Sequence, residues 1–393
     1  MTESPIPNLR VHLYGTQGSG SVFPSRAERA ALQDQSDHEL LRLVFEDLAR
    51  REGERGRPDS VEAILGGPIN RKTLTSYRAR FNVPEPRVYG GWTTCVWVET
   101  ADGYDIVFDC GSGFRNCARD LQAKWDQRPE RHLHLFGSHS HLDHTEGFDQ
   151  AAVCFDPRNR LHIYGNRQFL RALDFNLGIF SHQVAATVQG VQTPVFFGIM
   201  PATFDACIIG SPATTEPAGQ PSLHAKLHDP AEPVRIGATT ITAFEVFHPA
   251  PCLAYRVEHG GKVFVFATDH EFWRGAPDHP AAAVSRAAED RLIAQATGAD
   301  LLYRDAQYLR AEYDGLMGIG TSGAIPRAGW GHSCIEDVID MATACGVRKA
   351  LLGHHDPNRD WSERNWLDES MARRASGGTT QIEFARAETT FDL

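Results

Sequence analysis

The run Ser138-His139-Ser140-His141-Leu142-Asp143-His144 places four side chains able to bind metal within six residues, directly after a short apolar strand-like stretch. In an extended segment residues two apart point to the same face, so His139 and His141 can reach one ion together. A turn must then bring Asp143 and His144 to a second ion beside the first. Imidazole and carboxylate are ligands that zinc and similar divalent metals take. A solvated histidine-rich turn would need no further partners. Here more ligands follow, each where an apolar strand ends: His248 after Ile241 to Phe247, Asp269 after Val263 to Thr268, and His354 after Ala350 to Gly353. A rigid sheet can aim all of them at a common point.

The elements that must do this aiming alternate along the chain. Strands are expected at Leu9 to Tyr14, Thr94 to Val98, Asp105 to Phe108, His132 to Phe136, Leu161 to Tyr164, Ile241 to Phe247, Leu253 to Val257, Lys262 to Ala267, Leu301 to Arg304 and Ala350 to Gly353. Helices are expected at Phe114 to Trp125, Gln168 to Asn176, Ala281 to Ala296, near Cys334 to Ala344 and near Glu363 to Arg374. Two packed sheets covered by helices fit this order. Between residues 25 and 87 the pattern turns helical, with Ser36 and Glu39 spaced as a capping box and a second short helix from Asp59 to Gly66-Gly67. The basic run Arg50 to Arg57 within it reads as a solvated helix end or an anion contact. Gly15-Thr16-Gln17-Gly18-Ser19-Gly20 is a flexible loop whose N–H groups could line a phosphate site. It is no nucleotide P-loop, because no Gly-Lys-Ser/Thr follows. Residues 210–221 look like an exposed loop or excursion.

Composition limits the partners. The 393 residues carry 39 Lys and Arg against 50 Asp and Glu, a formal net charge of −11. That charge repels a long polyanion, so a nucleic-acid polymer is not expected, whereas a small anionic substrate held by metal is. The start, Met1 to Pro7, lacks a secretory pattern, and no apolar run nears the roughly 20 residues that span a bilayer. Eight scattered cysteines without a C-x-x-C pair suit reduced thiols. A cytoplasmic protein without membrane contact is the expectation.

Read together, HSHLDH, Tyr89-Gly90-Gly91, Asp109-x-Gly111, His248-Pro249, Ala267-Thr268-Asp269, Asp305-Ala306-Gln307-Tyr308, Gly331-His332-Ser333 and His354-His355-Asp356-Pro357 resemble a metallo-β-lactamase-fold hydrolase of the ribonuclease Z-like, cyclic-nucleotide phosphodiesterase branch. The resemblance implies an α+β, four-layer αββα sandwich in a single domain over residues 1–393, with insertions at about 25–87, 203–230 and 315–328. It also implies two divalent ions, zinc first with manganese or iron as alternatives. His139, His141 and His248 would hold one ion and Asp143, His144 and His354 the other, with Asp269 shared. His355 competes with His354 for the last place. His332 would protonate the leaving group, oriented by Asp305, and would form the catalytic set with Asp143 and Asp269; Asp109 would steady the metal loop. An imidazole suits the proton-donor role because its pKa lies near neutrality. The alternative for His332 is a helix cap.

The expected activity is hydrolysis of a small phosphodiester, a 3′,5′-cyclic nucleotide above all, through attack by a metal-bound hydroxide. A lactone, ester or lactam hydrolase using the same centre, or a ribonuclease Z-like endonuclease, is the alternative. Trp92 and Leu142 depart from the family pattern, and Phe23, Trp92 and Trp330 could stack on a base. The insertions would shape the pocket rim or the contacts of a homodimer.

Overall fold

Apolar and polar residues alternate along Leu9–Gly15 (β1), and every second side chain is buried. The computed structural model of the protein describes residues 8–24, 26–54, 60–81, 90–126, 128–183, 195–210, 222–320, 322–374 and 379–393. One sheet joins β1 to Cys95–Thr100 (β2), Asp105–Phe108 (β3), Arg131–Gly137 (β4), Asn159–Gly165 (β5), Thr203–Ile209 (β6), Ala225–His228 (β7) and the C-terminal Thr389–Asp392 (β15), in the order β15-β1-β2-β3-β4-β5-β6-β7. The other holds Val234–Ile236 (β8), Thr239–Val246 (β9), Cys252–His259 (β10), Lys262–Ala267 (β11), Leu301–Asp305 (β12), Lys349–Gly353 (β13) and Gln381–Phe384 (β14), in the order β14-β13-β12-β11-β10-β9-β8.

Phe108, Phe136, Tyr255, Phe264, Phe266 and Tyr303 fill the space between the sheets. The rings of Phe108 and Phe266 stack with centroids 5.3 Å apart. Phe114–Trp125 (α4) and Arg167–Leu177 (α5) bury their apolar faces on the outside of the first sheet. Pro280–Ala296 (α6), Ile335–Ala344 (α8) and Trp361–Arg374 (α9) cover the second, and a short helix, Arg310–Tyr313 (α7), follows β12. The result is the expected four-layer αββα sandwich, an α+β architecture.

What positions the site is the parallel centre of each sheet. Strands β3 and β4 run parallel in one sheet, and β11, β12 and β13 run parallel in the other. Their carboxyl ends therefore open at one edge within each sheet, and parallel sheets place their ligand sites there.

Residues 23–88 form a separate compact unit, spanning the stretch set apart in the sequence. It holds Arg26–Glu54 (α1), Val61–Leu65 (α2) and Arg71–Arg80 (α3), packed around Leu43, Ile64, Leu65 and Tyr77. The capping box at Ser36 and Glu39 does not form. α1 starts ten residues earlier, and Ser36 Oγ instead accepts a 2.8 Å bond from Arg78. The second helix is capped by Ser60 and ends, as the paired glycines require, at Gly66 with φ of 80°; Asp59 lies outside the described residues. Of the basic run, Arg50 and Arg51 both pair with Asp47.

The loop expected at residues 210–221 lies outside the described residues from 211 onward; within the insertion expected at 203–230, β6 and β7 extend the first sheet at its edge. Among the described residues no helix is long and apolar enough to cross a membrane. The eight cysteines are all unbridged, and only Cys207 is more than slightly exposed.

Candidate metal centre

Three residues that matter stand just beyond parallel strands, and all three take left-handed backbone: Asp109 (φ 58°) after β3, Asp269 (φ 44°) after β11 and His354 (φ 56°) after β13. Outside glycine such a conformation costs about 1–3 kcal/mol and persists where surrounding structure enforces it. Each turn ends the strand abruptly and leaves a polar side chain at the crevice. The fourth strand end, β4, is followed by His139 and an extended His141, and the chain then winds into a single 3-10 turn at Leu142–His144. This is the change of direction that lets His141 face one way and Asp143 and His144 another.

Two sets of ligand atoms result. In the first, one atom each from His139, His141, His248 and Asp269 lie within 4.8 Å of one another; in the second, the same holds for Asp143, His144, Asp269 and His354. Asp269 belongs to both. Its Oδ2 is 3.5 Å from His139 Nε2 and 3.9 Å from His248 Nε2, while its Oδ1 is 3.2 Å from both His144 Nε2 and His354 Nε2. Asp143 Oδ2 lies 3.4 Å from His144 Nε2 and 3.2 Å from His354 Nε2. The buried Nε2 atoms of His139 and His144 have no hydrogen-bond partner. Buried polar nitrogens are seldom left so, and both face carboxylates at bonding range to a shared ion. The donor set of imidazoles and carboxylates, four to a group with one shared, fits a pair of divalent ions.

The electrostatics suit such ions. Burial holds His139 well below the usual imidazole range, and burial also takes His248 down to about 4, so both offer neutral lone pairs. Burial works against charge on Asp143 and Asp269 too. There the neighbouring imidazoles win, His144 foremost, and keep both carboxyls well below the usual carboxylate range.

A second layer fixes the rings. His144 Nδ1 meets Asp109 Oδ2 at 2.7 Å, and Asp109 also accepts from Ser138 N at 2.6 Å and Ser138 Oγ at 2.7 Å. His248 Nδ1 donates to the Gly331 carbonyl at 3.0 Å, and His354 Nδ1 meets Gln307 Oε1 at 3.2 Å. These contacts turn each Nε2 toward the cluster. His355 is the wrong way round for a ligand. It is buried, with Nε2 2.7 Å from the Ala385 carbonyl and its ring against Phe384. Of the two adjacent histidines, His354 is the one in the cluster.

His332 does not cap α8, whose N-cap is Cys334. Its Nδ1 lies 2.8 Å from Asp305 Oδ2, and its ring stacks on His354 at 4.6 Å and sits 5.6 Å from His248. Burial pulls its pKa down, but the Asp305 carboxylate outweighs burial and raises it to about 9.

Several supporting residues escaped sequence reasoning. Gln307, Ser138 and Gly18 lie within the motifs quoted above, but their bracing roles have no sequence signal of their own. A Cβ on Gly18 would lie 2.3 Å from His354 Nδ1, and one on Gly331 would lie 2.1 Å from His248 Nδ1. Four amides of the glycine-rich loop are committed within the protein rather than left for a phosphate. Thr16 N and Gln17 N bond the Trp92 carbonyl, Gly18 N bonds the His355 carbonyl, and Ser19 N donates to Asp143 Oδ2 at 2.8 Å. The loop braces ligands instead.

A two-sheet αββα sandwich whose strand ends gather five histidines and two aspartates into adjoining ligand sets defines a class of metal-dependent hydrolases. A family model described as a beta-lactamase superfamily domain matches residues 104–355, well over half of the chain, and the chain belongs to that family. The matched range contains every residue of both ligand sets. Among solved structures, the chain is similar to the metallo-beta-lactamase fold protein YhfI from Bacillus subtilis (14% identity, 98% of each chain, TM-score 0.47). It is similar also to a diphosphatase from the PhnP family (13% identity, 98% of each chain, TM-score 0.48). Human tRNase Z, short form, is a third (14% identity, 97% of this chain and 98% of that one, TM-score 0.47). A search of curated proteins finds no match.

Proposed function

We propose that this hydrolase is a dinuclear metal-dependent phosphodiesterase of the ribonuclease Z-like branch, acting on a small phosphodiester, with a 3′,5′-cyclic nucleotide as the best single substrate. His139, His141 and His248 would hold one ion and Asp143, His144 and His354 the other, with Asp269 belonging to both sets; zinc is the first choice, manganese or iron the next. A bound pair of ions supplies Lewis acidity, acidifying a water and neutralising charge on the phosphoryl oxygens.

The observation that carries the reading is His332, a buried imidazole fixed by Asp305 Oδ2 at 2.8 Å and stacked against the ligand His354. With Nδ1 committed to Asp305, Nε2 is the atom left to carry a proton, and a pKa near 9 keeps the ring protonated at neutrality. A ribose oxygen departs as an alkoxide and needs that proton. Trp330, two residues before His332, is 51% exposed and offers a flat face for a base. The net charge of −11 favours a small anion over a polymer. A homodimer formed through the insertions belongs to this reading, and sedimentation showing only monomer removes that part.

Turnover of bis-p-nitrophenyl phosphate, cyclic nucleotides and a lactone panel with added zinc or manganese tests the proposal. Cyclic nucleotides are expected to turn over best. Good lactone turnover with no phosphodiester cleaved would overturn it in favour of carbonyl chemistry.

A further inference from the structure

The segment that follows the bridging Asp269 ties three parts of the site together. Glu271 N donates to the Phe247 carbonyl at 2.8 Å, beside His248. His270 Nδ1 accepts from Phe247 N at 3.0 Å, and Ser333 Oγ donates to the His270 carbonyl at 2.5 Å. The Glu271 side chain is wholly buried. Its Oε1 accepts from Gly329 N at 2.8 Å and from Tyr313 Oη at 2.5 Å, and its Oε2 accepts from Gly331 N at 2.8 Å. One carboxylate thus grips both amides that flank Trp330.

This grip bears on a metal ligand. Gly331 has φ of 95°, which glycine alone takes freely, and its α-carbon packs so closely on His248 that a Cβ would sit 2.1 Å from Nδ1. The carbonyl of the same residue receives the proton of His248 Nδ1 at 3.0 Å. Fixing Gly331 by its amide therefore fixes the acceptor that sets the His248 tautomer, leaving the Nε2 lone pair turned into the cluster, 3.2 Å from His141 Nδ1. The next residue is His332.

We infer that Glu271 is a positioning residue: by clamping the Gly329 and Gly331 amides it holds the Gly331 carbonyl against His248 and so sets the affinity of the ion held by His139, His141 and His248. The inference rests on the ligand assignment proposed above. Nothing about Glu271 acts on substrate directly. Carboxylates behind metal-binding histidines commonly act through the ring they orient; here the carboxylate acts one step further back, through a backbone carbonyl.

The test is a zinc or cobalt titration of the metal-free full-length protein, which reads metal and not turnover. Wild type is expected to bind two ions. Glu271→Ala should weaken one of them about 10–100-fold, the usual range for lost outer partners, and leave the other unchanged. The weakened ion should be the one that His248→Ala also weakens. Glu271→Gln, which keeps one oxygen for one amide, should fall between Glu271→Ala and wild type. Unchanged affinities in Glu271→Ala, or equal loss at both sites, overturn the inference. A wild type that binds fewer than two ions refutes the dinuclear reading itself, and wild type with two ions but no phosphodiester turnover refutes only the substrate assignment. Should Glu271→Ala not fold, the nitrogen spectra of histidine in the unaltered, metal-free protein decide: the proton of neutral His248 is expected on Nδ1, and finding it on Nε2 overturns the inference.

Discussion

His144 Nδ1 lies 2.7 Å from Asp109 Oδ2, with both side chains wholly shielded from solvent. Asp109 spends its remaining capacity on Ser138, the residue just before the first ligand. It therefore fixes the start of the metal loop and the ring near its end. Asp109→Asn, which tolerates the left-handed backbone but loses an acceptor, is expected to weaken the ion of Asp143, His144 and His354 by about 10–100-fold. Metal titration that shows both ions bound as in wild type would sink this assignment.

Metal binding should release protons. Burial opposes charge on His144, yet the carboxylates of Asp269, Asp143 and Asp109 outweigh it and hold the ring's pKa well above the usual imidazole value. In the metal-free protein the ring stays protonated at neutral pH, and an ion must displace that proton. Affinity at the second site should therefore rise with pH, by up to about tenfold per unit for one proton displaced. For the metal-free fold the sign is opposite: this raised pKa stabilises below the unfolded value and that contribution is lost as pH rises through the folded one. Calorimetry in buffers of different ionisation enthalpy measures the proton count, and a count of zero refutes the prediction.

His332 and Asp305 make a pH prediction of their own. A proton donor works only while protonated, so the rate should fall as pH rises through the His332 pKa. Burial lowers that pKa and Asp305 raises it more strongly. Asp305→Asn removes the raising charge, so the alkaline limb of kcat/KM should move to lower pH, with metal content unchanged. His332→Ala should lose about 10²–10⁴-fold in rate, the usual weight of a proton donor, again with metal retained. An alkaline limb that stays in place in Asp305→Asn would show that His332 is not the group titrating.

The candidate ligands were legible because most are announced by a local pattern: an apolar strand stops and a His or Asp follows, as at His248, Asp269 and His354, or a dense His/Asp run follows it, as after β4. The parallel strand order that brings those ends together was not legible, since it depends on pairing partners far apart in the chain, such as β3 with β4 and β12 with β13. Short edge strands also escaped notice. Val234–Ile236 and Ala225–His228 have too few residues for alternation to register. His354 was favoured over His355 because it comes first after its strand, and the structure places it in the cluster, with a φ of 56° that turns its ring there. Ser36 misled because its hydroxyl serves Arg78 across to another helix, which outcompetes the local cap that its spacing suggests.

The outer loop should be as sensitive as the ligands at one position. Gly18 packs its α-carbon on the His354 ring, and an added Cβ would meet Nδ1 at 2.3 Å and Cε1 at 2.4 Å. The ring has little room to yield, because Gln307 Oε1 holds its Nδ1 at 3.2 Å and His332 stacks on its face at 4.6 Å. Gly18 N is itself bonded to the His355 carbonyl at 3.0 Å, so the backbone is pinned from the other side. Gly18→Ala is expected to push His354 off its place, and a misplacement on the order of 1 Å near reacting groups costs about 10²-fold in rate. Gly323→Ala, where a Cβ meets nothing within 4 Å, is the matched control and should behave as wild type. Turnover and zinc content measured side by side decide the matter: wild-type turnover in Gly18→Ala would mean that His354 has the freedom to move that its neighbours here deny it.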